Sequence, residues 1–139
     1  MPATLSLTLA NRLDEVSSLI ARLEAFGVGA GLSDDQVFRL TVTLDEAVTN
    51  IVRHGFDADA GPGDILVRVT VEDALVTAVV EDAGRPFDPL AVPPADLNAP
   101  MEQRPIGGLG VHLMRSLTQS LDYRRDGDRN VLTLTFGPG

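Results

Sequence analysis

Leu5, Leu7 and Leu9 alternate with Thr4, Ser6 and Thr8, the two-residue period of a strand with one buried face. The period then changes. Leu13, Val16, Leu19, Ile20 and Leu23 recur at helical spacing, with Asn11 placed to cap the helix and Gly27, Gly29 and Gly31 marking its end. Ser33 and Gln36 have the form of a capping box. They predict a longer helix through Val37, Leu40, Leu44, Val48 and Ile51 that stops near His54-Gly55. Two β-rich runs follow, Ile65 to Glu72 and Leu75 to Glu81, joined through Asp73-Ala74 as a hairpin.

The pattern breaks between Gly84 and Ile106, which hold Pro86, Pro89, Pro93, Pro94 and Pro100, with Pro105 at the far end. An irregular stretch longer than about 15 residues in so short a chain is a functional lid or is disordered. A third helix begins around Gly107 to Gly110 and carries Val111, Leu113, Met114 and Leu117. Strands near Leu121–Arg125 and Val131–Phe136, linked by the turn-forming Asp126-Gly127-Asp128, close the chain. The order β-α-α-β-β-lid-α-β-β predicts an α+β fold, a two-layer sandwich of a mainly antiparallel sheet with its helices on one face. Strand order is not written in the pattern. No internal repeat is present, and residues 1–139 are expected to form a single domain that buries roughly two-thirds of its unfolded surface.

Composition narrows the function. There is no cysteine, which excludes a disulfide framework and a thiolate metal site. The first residues carry no basic n-region, and Asn11, Arg12 and Asp14 interrupt them early, unlike a signal peptide. No apolar run approaches the ~18 residues of a membrane span, so a cytoplasmic location without membrane contact is expected. Twenty acidic residues face eleven basic ones, all arginine, for a net charge of −9. Such a surface repels a phosphate backbone and argues against nucleic-acid binding. With no lysine, a P-loop is excluded. Any bound polyphosphate must then be neutralised by a divalent metal, backbone N–H groups and a few arginines.

Three segments carry candidate chemistry. In the second helix, Glu46, Asn50 and Arg53 fall roughly opposite its apolar face. Asn50 can give Mg²⁺ a neutral oxygen ligand, with Glu46 beside it as a base; alone, the pattern fits a solvated helix back better. At the end of the second hairpin strand, Glu81-Asp82-Ala83-Gly84 offers a carboxylate that can accept from an exocyclic amine such as that of adenine. Gly84 there permits close backbone approach, although an ordinary strand-to-turn exit has the same composition. Finally, Gly107, Gly108 and Gly110 open the third helix. Glycines there expose N–H groups to an anion, or act as a hinge for the preceding stretch.

In this order the segments resemble the N, G1 and G2 boxes of the GHKL superfamily, the Bergerat or histidine-kinase-like ATPase fold. Glu-Ala-Val-Thr-Asn-Ile-Val-Arg-His-Gly, Glu-Asp-Ala-Gly-Arg-Pro-Phe-Asp-Pro and Gly-Gly-Leu-Gly-Val-His-Leu-Met-Arg-Ser-Leu are similar to the anti-sigma-factor serine/threonine kinases within it. The closing Asn130-Val131-Leu132-Thr133-Leu134-Thr135 also resembles that family's last strand. The resemblance covers nearly the whole chain. It implies ATP and Mg²⁺ as ligands, Glu46 as catalytic base and Asn50 as the metal ligand. Asp82 would bind the adenine amino group, Gly84 would line the base pocket, and the Gly107, Gly108 and Gly110 backbone would cradle phosphates. Many members place a Thr after Gly near the adenine; here that position reads as Val131 after Asn130, with Thr133 a candidate substitute. With no lysine for the γ-phosphate, Arg104 is the candidate for that charge or for partner contact.

The function so implied is phosphorylation of a Ser or Thr on a small antagonist protein, combined with sequestration of a sigma factor, in a possible homodimer. The alternatives are a non-catalytic, nucleotide-dependent partner-binding module and a detached histidine-kinase catalytic domain.

Overall fold

The computed structural model describes residues 2–55, 64–84, 86, 88 and 108–138. The elements run β1 (Ala3–Ala10), α1 (Asp14–Gly29), α2 (Asp34–Asn50), a π-helical turn (Ile51–Gly55), β2 (Asp64–Glu72), β3 (Leu75–Asp82), α3 (Gly108–Leu117), β4 (Ser120–Asp126) and β5 (Arg129–Phe136). The sheet has the order β1-β2-β3-β5-β4, with every neighbouring pair antiparallel. The period-two reading of the strands holds throughout. Leu7, Val67, Val80 and Leu132 lie in one row across the sheet, and Leu5, Val69, Ala78, Leu134 and Leu121 in the next. Both rows face a core completed by Leu19 and Leu23 of α1, Leu40, Leu44 and Val48 of α2, and Met114 of α3. Each such buried side chain contributes roughly 1.5–3 kcal/mol. Ser6, Arg68, Val79, Thr133 and Asp122 occupy the opposite face.

The second helix begins where the capping box requires. Gln36 N donates to Ser33 Oγ (3.1 Å) and Ser33 N to Gln36 Oε1 (3.2 Å). Gln36 is also buried, and its Nε2 donates to Ala74 O (2.9 Å) in the β2–β3 turn. That turn holds two non-glycine residues at positive φ, Asp73 at 52° and Ala74 at 64°, a conformation that costs roughly 1–2 kcal/mol per residue. One side chain therefore caps a helix and ties it to a strained hairpin. Gln36→Ala is expected to lower stability by about 1–2 kcal/mol, read as a lower urea midpoint at unchanged slope.

Two local expectations need correction. Asn11 does not cap α1: Leu13 occupies the N-cap position with no side-chain hydrogen bond. A tight turn, closed by Arg12 N on Ala10 O (2.8 Å), leads from β1 into the helix. Asn11 then lies too early to reach the free N–H groups, and Glu15 Oε1 instead accepts from Ala10 N (3.3 Å). On α2 the buried surface is wider than the aliphatic stripe, since it includes Gln36, Thr43, Ala47 and Asn50. Helices pack on both flanks of α2: Gly27 of α1 sits so near that an added Cβ would lie 2.9 Å from Val37 Cγ2. Asn50 is thus buried, while Arg53 is exposed. Among the described residues no helix is long and apolar enough to cross a membrane.

Candidate functional site

Two long-range hydrogen bonds establish where the helix ends fall. The Gln36–Ala74 bond pins the start of α2 over the β2–β3 turn. From that turn the two strands run to the other end of the sheet, where Ile65 pairs with Asp82. The 17 residues of α2 extend about 25 Å, close to the length of those strands. Asn50 and the π-helical turn therefore come to the end of the sheet where β3 finishes at Asp82. Arg39 Nη1, near the start of α2, donates to Leu117 O (3.2 Å) at the last residue of α3. The last residue of α3 is thereby held beside the start of α2, and the helix packs against α2. Segments far apart in the chain thus converge.

Asp82 is the last residue of β3, on the helix-facing side and only 2% exposed. A buried carboxylate is costly unless its oxygens find donors. Oδ1 accepts from Gly84 N (2.9 Å) and from Asn130 Nδ2 (3.0 Å). No hydrogen bond among the described residues reaches Oδ2, which leaves one acceptor uncommitted. Gly84 is buried beside it.

Asn50 is 6% exposed, and its carboxamide makes no hydrogen bond within the described residues. A buried amide with unspent bonding capacity is a site expecting a partner. Glu46, one turn earlier, is half-buried and already engaged in a polar interaction. Past Asn50 the helix widens into its π turn, a distortion frequent at functional sites. Gly108 and Gly110 form the first turn of α3, which carries no acidic side chain; its free N–H groups suit an anion. Among the described residues no three His, Cys, Asp or Glu side chains gather as a metal set. A single amide oxygen beside a phosphate-bearing ligand still fits Mg²⁺, which usually takes few protein ligands and completes its shell with phosphate and water. Gly107, Arg104, Phe87 and all the rest of the proline-rich stretch but Gly84, Pro86 and Asp88 lie outside the described residues.

The structure brings Asn130 to Asp82, a contact that sequence reasoning missed. Val131 and Thr133, the positions considered for the adenine-proximal Thr, pair with Glu81 and Val79 and point away from the helices. Asn130 pairs with Asp82 and faces it. The signal was the alternation within β5, but it names the inward residues only once the register with β3 is known.

Comparison with known proteins bears on the family and the fold. The model of the histidine kinase-like ATPase domain matches residues 9–136. The chain is 31% identical over 123 residues to the serine-protein kinase RsbW of a Bacillus cereus strain, covering 84% of this chain and 76% of that one. The serine-protein kinase RsbW of Bacillus licheniformis matches with the same identity and coverage. Among solved structures, the RsbU and RsbW domains of a Mycobacterium tuberculosis protein superpose with a TM-score of 0.70 at 20% identity. That match covers 96% of this chain and 32% of the mycobacterial one, so this chain spans about a third of it. The histidine kinase domain of a blue-light activated kinase from Erythrobacter litoralis superposes with a TM-score of 0.59 at 20% identity, over 90% of this chain and 58% of that one. These two likenesses bear on the fold.

Proposed function

This chain belongs to the histidine kinase-like ATPase domain family, in the group of the RsbW serine-protein kinases, and from that premise we propose how it acts. Residues 1–139 form one ATP-binding kinase domain that phosphorylates a Ser or Thr of a small antagonist protein and, in its other role, sequesters a sigma factor in the cytoplasm. The observation that carries this reading is the convergence at one end of the sheet. Among the described residues a buried carboxylate with one unspent oxygen and a buried amide without a hydrogen bond lie toward that end, and the glycine-opened α3 packs against the helix that carries the amide.

Each residue's part follows from its chemistry. Asp82 Oδ2 accepts from the adenine amino group, and Gly84 leaves room for the ring. The N–H groups opening α3, at Gly108 and Gly110 with Gly107 before them, hold the polyphosphate; Arg104 supplies positive charge near the γ-phosphate. Asn50 Oδ1 would hold Mg²⁺, which when bound neutralises charge on the transferring phosphoryl group. Glu46 takes the proton of the attacking Ser or Thr hydroxyl. The freed oxygen forms its bond to the γ-phosphorus as the bond to the β-phosphate oxygen breaks, leaving ADP. Positioning and charge account for most of the acceleration in phosphoryl transfer, and this set supplies both.

Mg-ATP at about 100 times its Kd should stabilise the native state by about 2.7 kcal/mol, visible as a higher melting temperature than with Mg²⁺ alone. Labelled γ-phosphate should then pass to Ser or Thr of the cognate antagonist. A thermal shift without transfer would instead favour a nucleotide-dependent binding module, and label on His a histidine kinase.

A further inference from the structure

β4 contributes no residue to the set just described, yet two of its side chains end against that set. By register Tyr123 and Arg125 stand opposite Leu132 and Asn130 of β5; Tyr123 is half-buried and Arg125 exposed. The Tyr123 hydroxyl donates to Asn130 Oδ1. Arg125 Nη1 also donates to Asn130 Oδ1 (3.3 Å) and, more closely, to Gly84 O (2.8 Å). Its Nε is in turn held by Gly127 O (3.1 Å) in the β4–β5 turn. The guanidinium thus bridges the β4–β5 turn, Asn130 and the turn that follows Asp82.

The arrangement has a directional consequence. A carboxamide can rotate by half a turn and exchange its donor for its acceptor. If Asn130 did so, its NH2 would meet Arg125, which has donors only, and its oxygen would meet the Asp82 carboxylate, which has acceptors only. Both contacts would be repulsive. With Arg125 in place, Asn130 must present Nδ2 to Asp82 Oδ1. That bond, together with the one from Gly84 N, occupies Oδ1 and leaves Oδ2 as the uncommitted acceptor.

We propose that Arg125, with Tyr123, is a positioning and specificity-determining element: by locking the Asn130 amide and the Gly84 carbonyl, it fixes the carboxylate that reads the purine and so sets the preference for a 6-amino over a 6-oxo base. The proposal rests on the ATP-site reading above. A locked acceptor at Oδ2 matches the amino group of adenine and repels the oxygen of guanine. An unlocked carboxylate turns, loses part of its grip on adenine and can accept from the N–H groups of guanine.

The test is calorimetric titration of the full chain with Mg-ATP and, separately, Mg-GTP. The proteins are the wild type, Arg125→Met, Arg125→Lys and Tyr123→Phe, each checked for fold by circular dichroism. In Arg125→Met the Kd for ATP should rise about tenfold, the scale of one lost charge-assisted hydrogen bond, and the ATP-to-GTP preference should fall with it. Tyr123→Phe should move both the same way by less. Arg125→Lys restores a donor-only group and should recover part of the preference. Equal weakening toward both nucleotides, or no rescue by lysine, would reduce Arg125 to a structural brace and overturn the proposal. Should wild type bind neither nucleotide, the ATP-site reading falls and takes this inference with it. Wild-type ATP binding with an unchanged preference in the variants sinks this inference alone.

Discussion

Glu46→Gln is expected to keep its ATP and lose its phosphotransfer. The substitution preserves length and hydrogen-bonding reach but removes the carboxylate that can accept a proton. Positioned general bases contribute about 10²- to 10⁴-fold, so kcat for transfer to the antagonist should fall by that range. The Kd for Mg-ATP should stay within about threefold, because the change alters a group used in the transition state more than in the ground state. Glu46 is only half-buried and lies on the flank of α2, so stability should change little. Single-turnover transfer of labelled phosphate, measured beside nucleotide binding, separates the two effects. Transfer at the wild-type rate would remove Glu46 from its assigned role and leave positioning alone to explain catalysis.

Asp82→Asn should do the reverse and abolish useful nucleotide binding. The amide oxygen can still accept from Gly84 N and Asn130 Nδ2, so the bonds that close the end of β3 survive. What changes is the other atom. A donor NH2 would now stand where the adenine amino group also donates, and a charge-assisted bond becomes a donor–donor contact. Loss of such a bond costs about 1.5–3 kcal/mol, and the added repulsion brings the expected weakening to about 100-fold. Because the same NH2 suits a 6-oxo base, Mg-GTP should lose far less than Mg-ATP. Calorimetry with both nucleotides checks this; an unchanged Kd for ATP would show that the base is read elsewhere.

These two variants separate the roles that the converging segments would play. Asp82 is pinned by strand pairing and buried to 2%, which suits recognition that must not wander. Glu46 sits one helical turn from Asn50 and is half-buried, as the proposed contact with a protein substrate would require. The buried Asn50 amide, as a neutral ligand, would leave a bound ion most of its charge for the phosphates.

Much of this was legible locally. The capping box at Ser33 and Gln36, the alternation in β2 and the glycine-opened α3 are decided by residues within one or two turns of each other, so sequence periodicity and hydrogen-bonding capacity predict them directly. Glu46, Asn50, Asp82 and the glycines were also singled out, because acid, amide and glycine are chemically conspicuous types at those positions. Asn11 does not cap the helix, because N-cap preference is local only if the chain enters the helix one residue later; the tight turn after β1 moves the N-cap to Leu13.

By itself, then, the sequence determined the order and kind of the elements, the residue types a metal–phosphate site requires, and the lack of a lysine-based alternative. Tertiary structure alone decided that β5 inserts between β3 and β4, and so that Asn130, not Val131, meets Asp82 across 48 residues of chain. It also decided that Asn50 turns inward, because helices on both flanks of α2 widen its buried arc beyond the aliphatic stripe. The physical reason is the same in each case. Periodicity reports which side of an element is apolar, whereas the neighbour on that side is chosen by packing the whole core, and a polar residue there is revealed only by what it faces.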